Sequence, residues 1–354
     1  MKLPFSRHSL RYVLGILVSA IFVYLTFRKV DVSGMYDAFM GADCWILSLA
    51  GLVMFGGHYF RALRWGYLLS PIKRLDLGSL FSSLMIGYAA NVVLPAHLGE
   101  FLRSYVLGRK GHVSASSALA TIVVERIIDV LSLLALTYGT ILLLPVPRWL
   151  SRGGHIIFVA SVGVLVFILG CKIFWVQIRR IFEVRLNKYS HVLQSKIRHV
   201  VEGFLSGIVP LRRRLDYFLV LKDSVLIWLC YGLFFHLCLV AFGFFRSYDL
   251  PWYSSLVLLI ATTIGIMIPS SPGYIGTYHY LCQLALGYFG VPPGPALSFA
   301  LIVHGLSVLP PVLVGLILAN REGLKIFDAV PKRSGVLSGD GQENRVRGYD
   351  GVRR

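Results

Sequence analysis

The sequence predicts an all-α polytopic membrane protein, and two observations carry that prediction. Of 354 residues, 56% are apolar and only 15% are charged, whereas a soluble domain carries about a quarter charged residues. The apolar residues also fall in long blocks rather than in amphipathic patterns, as a chain buried in hydrocarbon requires. Mean hydropathy is +0.70. This composition excludes a soluble enzyme, a disordered chain and a disulfide scaffold. It leaves a basic excess: 35 Lys+Arg against 17 Asp+Glu, a formal net charge of +18. In a membrane protein such an excess reports topology and contact with anionic lipid before it reports nucleic acid, so no nucleic-acid partner is expected.

Eight apolar blocks are read in order, at 10–27, 44–60, 78–94, 116–144, 155–175, 223–245, 252–268 and 295–319. A hydrocarbon core about 30 Å thick takes roughly 20 residues of helix. The first block follows Lys2, Arg7 and Arg11 and ends at Phe27, Arg28, Lys29. No small-residue cleavage site follows it, so it reads as a retained span. Two shorter helical stretches, 97–108 and 276–290, follow the third and seventh blocks. Each comes after broken sequence, NVVLPAHLGE at 91–100 and IPSSPGYIGT at 268–277, where Pro and Gly interrupt a helix. Pro310 and Pro311 predict a kink in the last block.

Basic residues orient the blocks. With a cytoplasmic N-terminus, and each broken pair read as a hairpin that enters and leaves on one side, 29 basic residues fall on cytoplasmic segments and 5 outside. That bias is the expected one, and it places both termini in the cytoplasm of a plasma (bacterial inner) membrane. The topology amounts to six full spans plus two re-entrant hairpins, in two inverted halves at 10–144 and 155–319. Inverted repeats with broken helices are a transporter architecture. The alternative is that the two breaks are unrelated. Between spans, 176–215 carries an apolar stripe opposite a basic face, which reads as an interfacial helix on anionic inner-leaflet lipid. Arg212, Arg213 and Arg214 extend that contact. The segment 321–354 reads as a disordered cytoplasmic tail.

The polar residues inside the spans are few. Glu125, Arg126 and Asp129 sit in one apolar block, and each costs about 2.5–3.5 kcal/mol at the bilayer centre unless paired. Arg126 and Asp129 are at i,i+3 and can pair. Ser117, Thr121, Glu125, Asp129 and Ser132 form one stripe at helical spacing, which should face a hydrated path or lock helices together. After each break a helix begins, near Leu98 and near Gly276. Its free N–H groups would favour an anion, with Arg103 as a charge-assisted contact. Glu100 suits the dipole of the first turn. The five cysteines, Cys44, Cys171, Cys230, Cys238 and Cys282, are odd in number and form no CxxC. With no metal-spaced histidines either, no metal and no cofactor are expected. The absence of GxxxxGK[ST] argues against ATP-driven action by this chain.

Three runs in order, NVVLPAHLGEFLRSYVLGRK, SSALATIVVERIIDVLSLLAL and PSSPGYIGTYHYLCQLALGYFGV, resemble the flippase-like transmembrane domain of lysylphosphatidylglycerol synthases and their stand-alone relatives, over roughly 10–320. The resemblance implies a lipid-translocating domain. Its motifs fall on Asn91, Pro95, Gly99, Glu100 and Arg103, then on Glu125, Arg126 and Asp129, then on Pro269, Pro272, Gly273 and Gly276. His97 stands where Arg is common, His279 where many members carry Glu, and His304 where many carry Arg. The soluble segments are too short for an aminoacyl-transfer domain. The expected function is therefore a non-enzymatic lipid translocase for a phospholipid or other phosphate-bearing lipid. Its substrate site would be lined by Asn91, Pro95, Gly99, Glu100, Arg103, Glu125, Arg126, Asp129, Pro272, Gly273 and Gly276 together with His279 and His304. The alternatives are a non-catalytic partner of a lipid-synthesis enzyme and a membrane-embedded lipid-linked transferase.

Overall fold

The structure, a computed structural model, describes residues 21–28, 30–93, 98–173, 211, 213–267 and 272–324. Everything regular among them is helical, and no strand occurs among the described residues. The helices are α1 Val32–Met40, α2 Cys44–Leu69, α3 Leu77–Val93, α4 Gly99–Gly111, α5 Ala115–Leu143 and α6 Arg148–Ile173. They continue as α7 Arg214–Ala241, α8 Phe244–Ser247, α9 Ser254–Met267, α10 Thr277–Tyr288 and α11 Pro293–Arg321, with a 3₁₀ turn at Pro272–Tyr274.

Local chemistry sets several of the starts. Asp43 caps α2, its carboxylate accepting from the Trp45 and Ile46 N–H groups at 2.8 and 3.1 Å, and Asp31 caps α1 in the same way. Asp76 accepts from the Ser79 N–H at 2.8 Å near the start of α3, and that bond holds its carboxyl below the ordinary range. α4 ends where His112 turns left-handed, at φ 47°. The second break turns at Gly273 (φ 72°) and Gly276 (φ 96°), angles that side-chain-bearing residues rarely adopt.

α2, α7 and α11 have 26, 28 and 29 residues and are long and apolar enough to cross a membrane. α5 has 29 residues but carries the three intramembrane charges. α3 and α4, with 17 and 13 residues, pack on each other, as do α9 and α10, with 14 and 12. α2 lies along α7, and α11 runs against both α3 and α10. The largest apolar core joins α7, α9, α10 and α11 around Phe234, Phe242 and Phe299. A second, around Trp65, Leu84 and Leu107, fills the first half.

The structure corrects the sequence reading at several points. The second block does not stop at 60 but continues to Leu69, so Arg61 and Arg64 are buried helix residues rather than loop charges. Arg103, also counted as a cytoplasmic charge, is buried. These three arginines therefore carry no topology information. Helix α1 was not foreseen. α6 begins at Arg148, earlier than the block at 155. α11 is one continuous helix that contains Pro310 and Pro311, where each proline removes a backbone donor and leaves the Leu306 and Ser307 carbonyls without helical partners, the physical ground for the expected kink. The interfacial helix at 176–215 lies outside the described residues except for its end, where Arg214 already opens α7. The segment before 21 and the tail after 324 also lie outside them.

At one end of the bundle Glu322 ties α11 to the first hairpin. Ser82 Oγ donates to its Oε1 at 2.5 Å, Lys110 pairs with the same carboxylate, and Lys110 Nζ also donates to Ser82 Oγ at 2.9 Å. Glu322→Ala is expected to lower folded stability by about 1–2 kcal/mol, the scale of a partly buried charged hydrogen bond. Thermal melting in detergent checks this, and an unchanged midpoint would show that the tie contributes nothing.

Candidate functional site

The three intramembrane charges of α5 meet charged partners supplied by two other helices, α2 and α4. Asp129 takes Arg61, and Arg64 Nη2 at 2.5 Å, both from α2. Glu125 takes Arg103 Nη2 from α4 at 2.8 Å, with Arg64 at 3.7 Å and Arg61 at 3.9 Å. Arg126 reaches Glu100 on α4 at 2.6 Å and Asp129 at 3.6 Å. Four guanidiniums thus share three carboxylates, a net charge of +1. Each carboxylate has at least two cationic neighbours, so the charges are mutually compensated inside the membrane.

Neighbouring side chains hold the arginines in place. Arg103 lies over the Trp65 ring, 3.7 Å from its centroid, a cation–π contact. The Trp65 indole N–H donates to Thr121 Oγ1 at 3.0 Å. Arg61 donates to the Tyr88 hydroxyl at 2.9 Å, and Arg64 to Ser224 Oγ on α7 at 3.0 Å. Glu125 is fully buried, whereas the Arg126 side chain is 42% exposed.

That exposed face opens into a cavity of about 510 Å³ between the two halves of the chain. One wall is polar: His58, Arg61, Tyr88, Asn91, Glu100, Arg126 and Asp129 line it. The facing helices contribute an apolar wall that includes Phe234, Leu259, Ile266 and Val312. Tyr278, His304 and Ser307 border it from the second hairpin and α11. Both ring nitrogens of His58, and Asn91 Oδ1, are buried without a hydrogen-bond partner among the described residues.

Of the residues expected from sequence, Asn91, Glu100, Arg126, Asp129 and His304 line this cavity. Glu125 and Arg103 stand behind its polar wall and organise it. Gly99 serves packing, because a Cβ there would collide with the Gly87 carbonyl and Asn91 Oδ1. The 3₁₀ turn that starts at Pro272 packs on α3, and Gly273 and Gly276 supply its positive-φ turns. His279 is buried, edge-on to His304 with ring centroids 4.9 Å apart, and is not part of the cavity lining. Pro95, His97 and Pro269 lie outside the described residues. The first turn of α4 already holds an acid, Glu100, and just before α10 the Gly276 N–H donates to His279 Nδ1 at 3.4 Å. Positive charge at the site therefore comes chiefly from guanidiniums. Sequence reasoning missed His58, Arg61, Arg64, Trp65 and Tyr88.

Fold and site together define a polytopic helical membrane protein with a charged cavity in its interior. Residues 12–315 match the family described as the lysylphosphatidylglycerol synthase TM region, and the chain belongs to that family. Two proteins of Methanothermobacter thermautotrophicus, each called a UPF0104 membrane protein, are 25% identical to it. One aligns over 77% of this chain and 83% of its own length, the other over 82% and 87%. The glycosyltransferase AglD of Haloferax volcanii is 24% identical over 83% of this chain, which covers 52% of that protein. No solved structure matches the chain.

Proposed function

We propose that this protein is a lipid translocase that moves a phosphate-bearing lipid headgroup between leaflets without ATP hydrolysis of its own. The observation that carries the reading is the cavity, whose polar wall presents Arg61 and Arg126, is backed by a cluster of net charge +1, and faces a largely apolar wall. An anionic headgroup finds charge-assisted donors on the first wall, and the uncharged remainder of the headgroup meets the second, which is largely apolar. A volume of about 510 Å³ is in the range of small-molecule sites and suits a headgroup whose chains remain in the bilayer.

The packing supports an inverted repeat around this cavity. α3 pairs with α4 as α9 pairs with α10, and α4 meets α5 as α10 meets α11. α2 meets α3 as α7 meets α9, and each hairpin also touches the long helix of the opposite half, α3 on α11 and α9 on α5. On this proposal the binding site lies at the junction of the halves, where transporters of this architecture bind substrate. In this reading both hairpins are re-entrant, the termini are cytoplasmic, and the membrane is the plasma membrane.

Reconstitution of the full chain in liposomes tests the reading. Wild type is expected to move a fluorescent anionic phospholipid between leaflets, and Arg126→Ala to slow it at least about tenfold, since a charged hydrogen bond contributes about 1.5–3 kcal/mol. The variant should remain folded, because the Arg126 side chain is partly exposed and Glu100 keeps Arg103 at 3.8 Å. No movement by wild type across anionic, zwitterionic and sugar-bearing lipids would sink the proposal. A second reading is favoured by the similarity to AglD: a membrane module that serves a glycosyltransferase. It predicts copurification with such an enzyme and no movement of lipid by the chain alone.

A further inference from the structure

The headgroup chemistry can be read more finely from the wall opposite the arginines. We infer that the cavity selects anionic lipids whose headgroup carries uncharged hydroxyl groups, a polyol or sugar phosphate, and rejects headgroups that carry an ammonium. This rests on the translocase reading of the same cavity.

The first observation is the state of the carboxylates. Only Glu100 and Asp129 are acids in the described lining. Asp129 is held by Arg61 and Arg64, and Glu100 by Arg126 at 2.6 Å. Asp223, a fully buried acid, does not line the cavity, and Lys222 Nζ stands 3.0 Å from its Oδ1. An ammonium brought into the cavity therefore meets a cluster that is already net positive and finds no carboxylate to itself. A buried charge without a partner is strongly disfavoured.

The second observation is the polar content of the far wall, which is neutral. Thr262, Thr263 and Ser307 line the cavity, and each donates its hydroxyl proton to a carbonyl of its own helix, at 2.7, 2.6 and 2.9 Å. Their oxygens thus keep lone pairs and act as acceptors. Trp228 also lines the cavity, and its indole N–H is a buried donor with no acceptor among the described residues. His304 Nε2 is likewise buried without a partner there. The far wall therefore holds acceptors together with at least one buried, unpaired donor. A hydroxyl both gives and takes a hydrogen bond and satisfies the two kinds together. An ammonium only gives, and leaves the Trp228 N–H unpaired. The phosphate at the guanidinium wall and hydroxyls at this one make a single two-ended headgroup.

The test uses the full chain and four lipids with matched acyl chains. Phosphatidylglycerol and phosphatidylinositol carry hydroxyls, and phosphatidylethanolamine and lysyl-phosphatidylglycerol carry ammonium groups. Retention on the detergent-purified protein is read by native mass spectrometry, and movement is read in liposomes. The hydroxylated pair is expected to be retained and moved at least about tenfold better, the discrimination of one charged contact. Trp228→Phe and Ser307→Ala, each at wild-type melting temperature, should shrink that preference by about three- to tenfold. Equal or better handling of the ammonium lipids overturns the selectivity and leaves translocation standing. Selective retention without movement of any lipid leaves the selectivity standing and removes translocation. An unchanged preference in both variants overturns the assignment of the far wall.

Discussion

Replacing Glu125 with Gln is expected to cost about 3–5 kcal/mol of folded stability, the scale for removing one partner from a buried charge pair. Glu125 is fully buried, and its carboxylate faces three guanidiniums, Arg103 at 2.8 Å, Arg64 at 3.7 Å and Arg61 at 3.9 Å. Removing its charge raises the cluster from +1 to +2 inside a medium that disfavours unpaired charge. The arginines cannot escape to water, since Arg64 and Arg103 are themselves buried among Trp65, Thr121 and Ser224. Thermal unfolding in detergent reads the loss. Glu125→Gln combined with Arg103→Gln restores the net charge and should recover a substantial part of it. Arg126→Ala behaves oppositely, being near neutral for stability and severe for lipid movement. If Glu125→Gln melts at the wild-type temperature while Arg126→Ala fails to fold, the two roles are reversed.

That contrast shows where the sequence was legible. The stripe of Ser117, Thr121, Glu125 and Asp129 on one face of α5 could be read from helical spacing, and the structure buries Ser117, Thr121 and Glu125. The i,i+3 pair of Arg126 and Asp129 stands at 3.6 Å. The helix starts near Leu98 and Gly276 were visible because Pro and Gly punctuate the chain there. The partners on α2 were not visible. Arg61 and Arg64 end an apolar block and precede Lys73 and Arg74, so by composition they merge with a loop. A cue was present in the charge balance: three intramembrane acids and bases on α5 need partners from elsewhere. His58, Arg61 and Trp65 recur at the spacing of one helix face. The distinction between Glu125 and Arg126, one residue apart, could not be drawn from sequence, because it depends on which side of α5 faces the cavity.

Replacing Gly99 with Ala is expected to be among the most damaging single-methyl changes at the described glycines. A Cβ at Gly99 would overlap the backbone carbonyl of Gly87 and the Asn91 side-chain oxygen, and a backbone carbonyl cannot swing aside as a side-chain tip can. Nor can α3 retreat. On α11, Gly315 sits against the Met85 carbonyl as closely as Gly99 sits against that of Gly87. Residues 85 and 87 are about 200° apart around a helix with 3.6 residues per turn. α3 is thus clamped between two glycines on nearly opposite faces, the close approach that small residues permit between membrane helices. Forcing α3 and α4 apart also carries Arg103 away from Glu125, because the Arg103 Cβ lies 2.9 Å from where a Gly87 Cβ would stand. Packing strain of about 1–3 kcal/mol is then joined by loss of the buried pair. Gly99→Ala should therefore reduce folded yield, lower the melting temperature more than Glu322→Ala, and abolish lipid movement. Gly139→Ala in α5, where a Cβ meets nothing within 4 Å, is the control and should be neutral or stabilising by up to about 1 kcal/mol. Wild-type melting and transport in Gly99→Ala would mean that the hairpin is not clamped, and that the polar wall of the cavity does not depend on it.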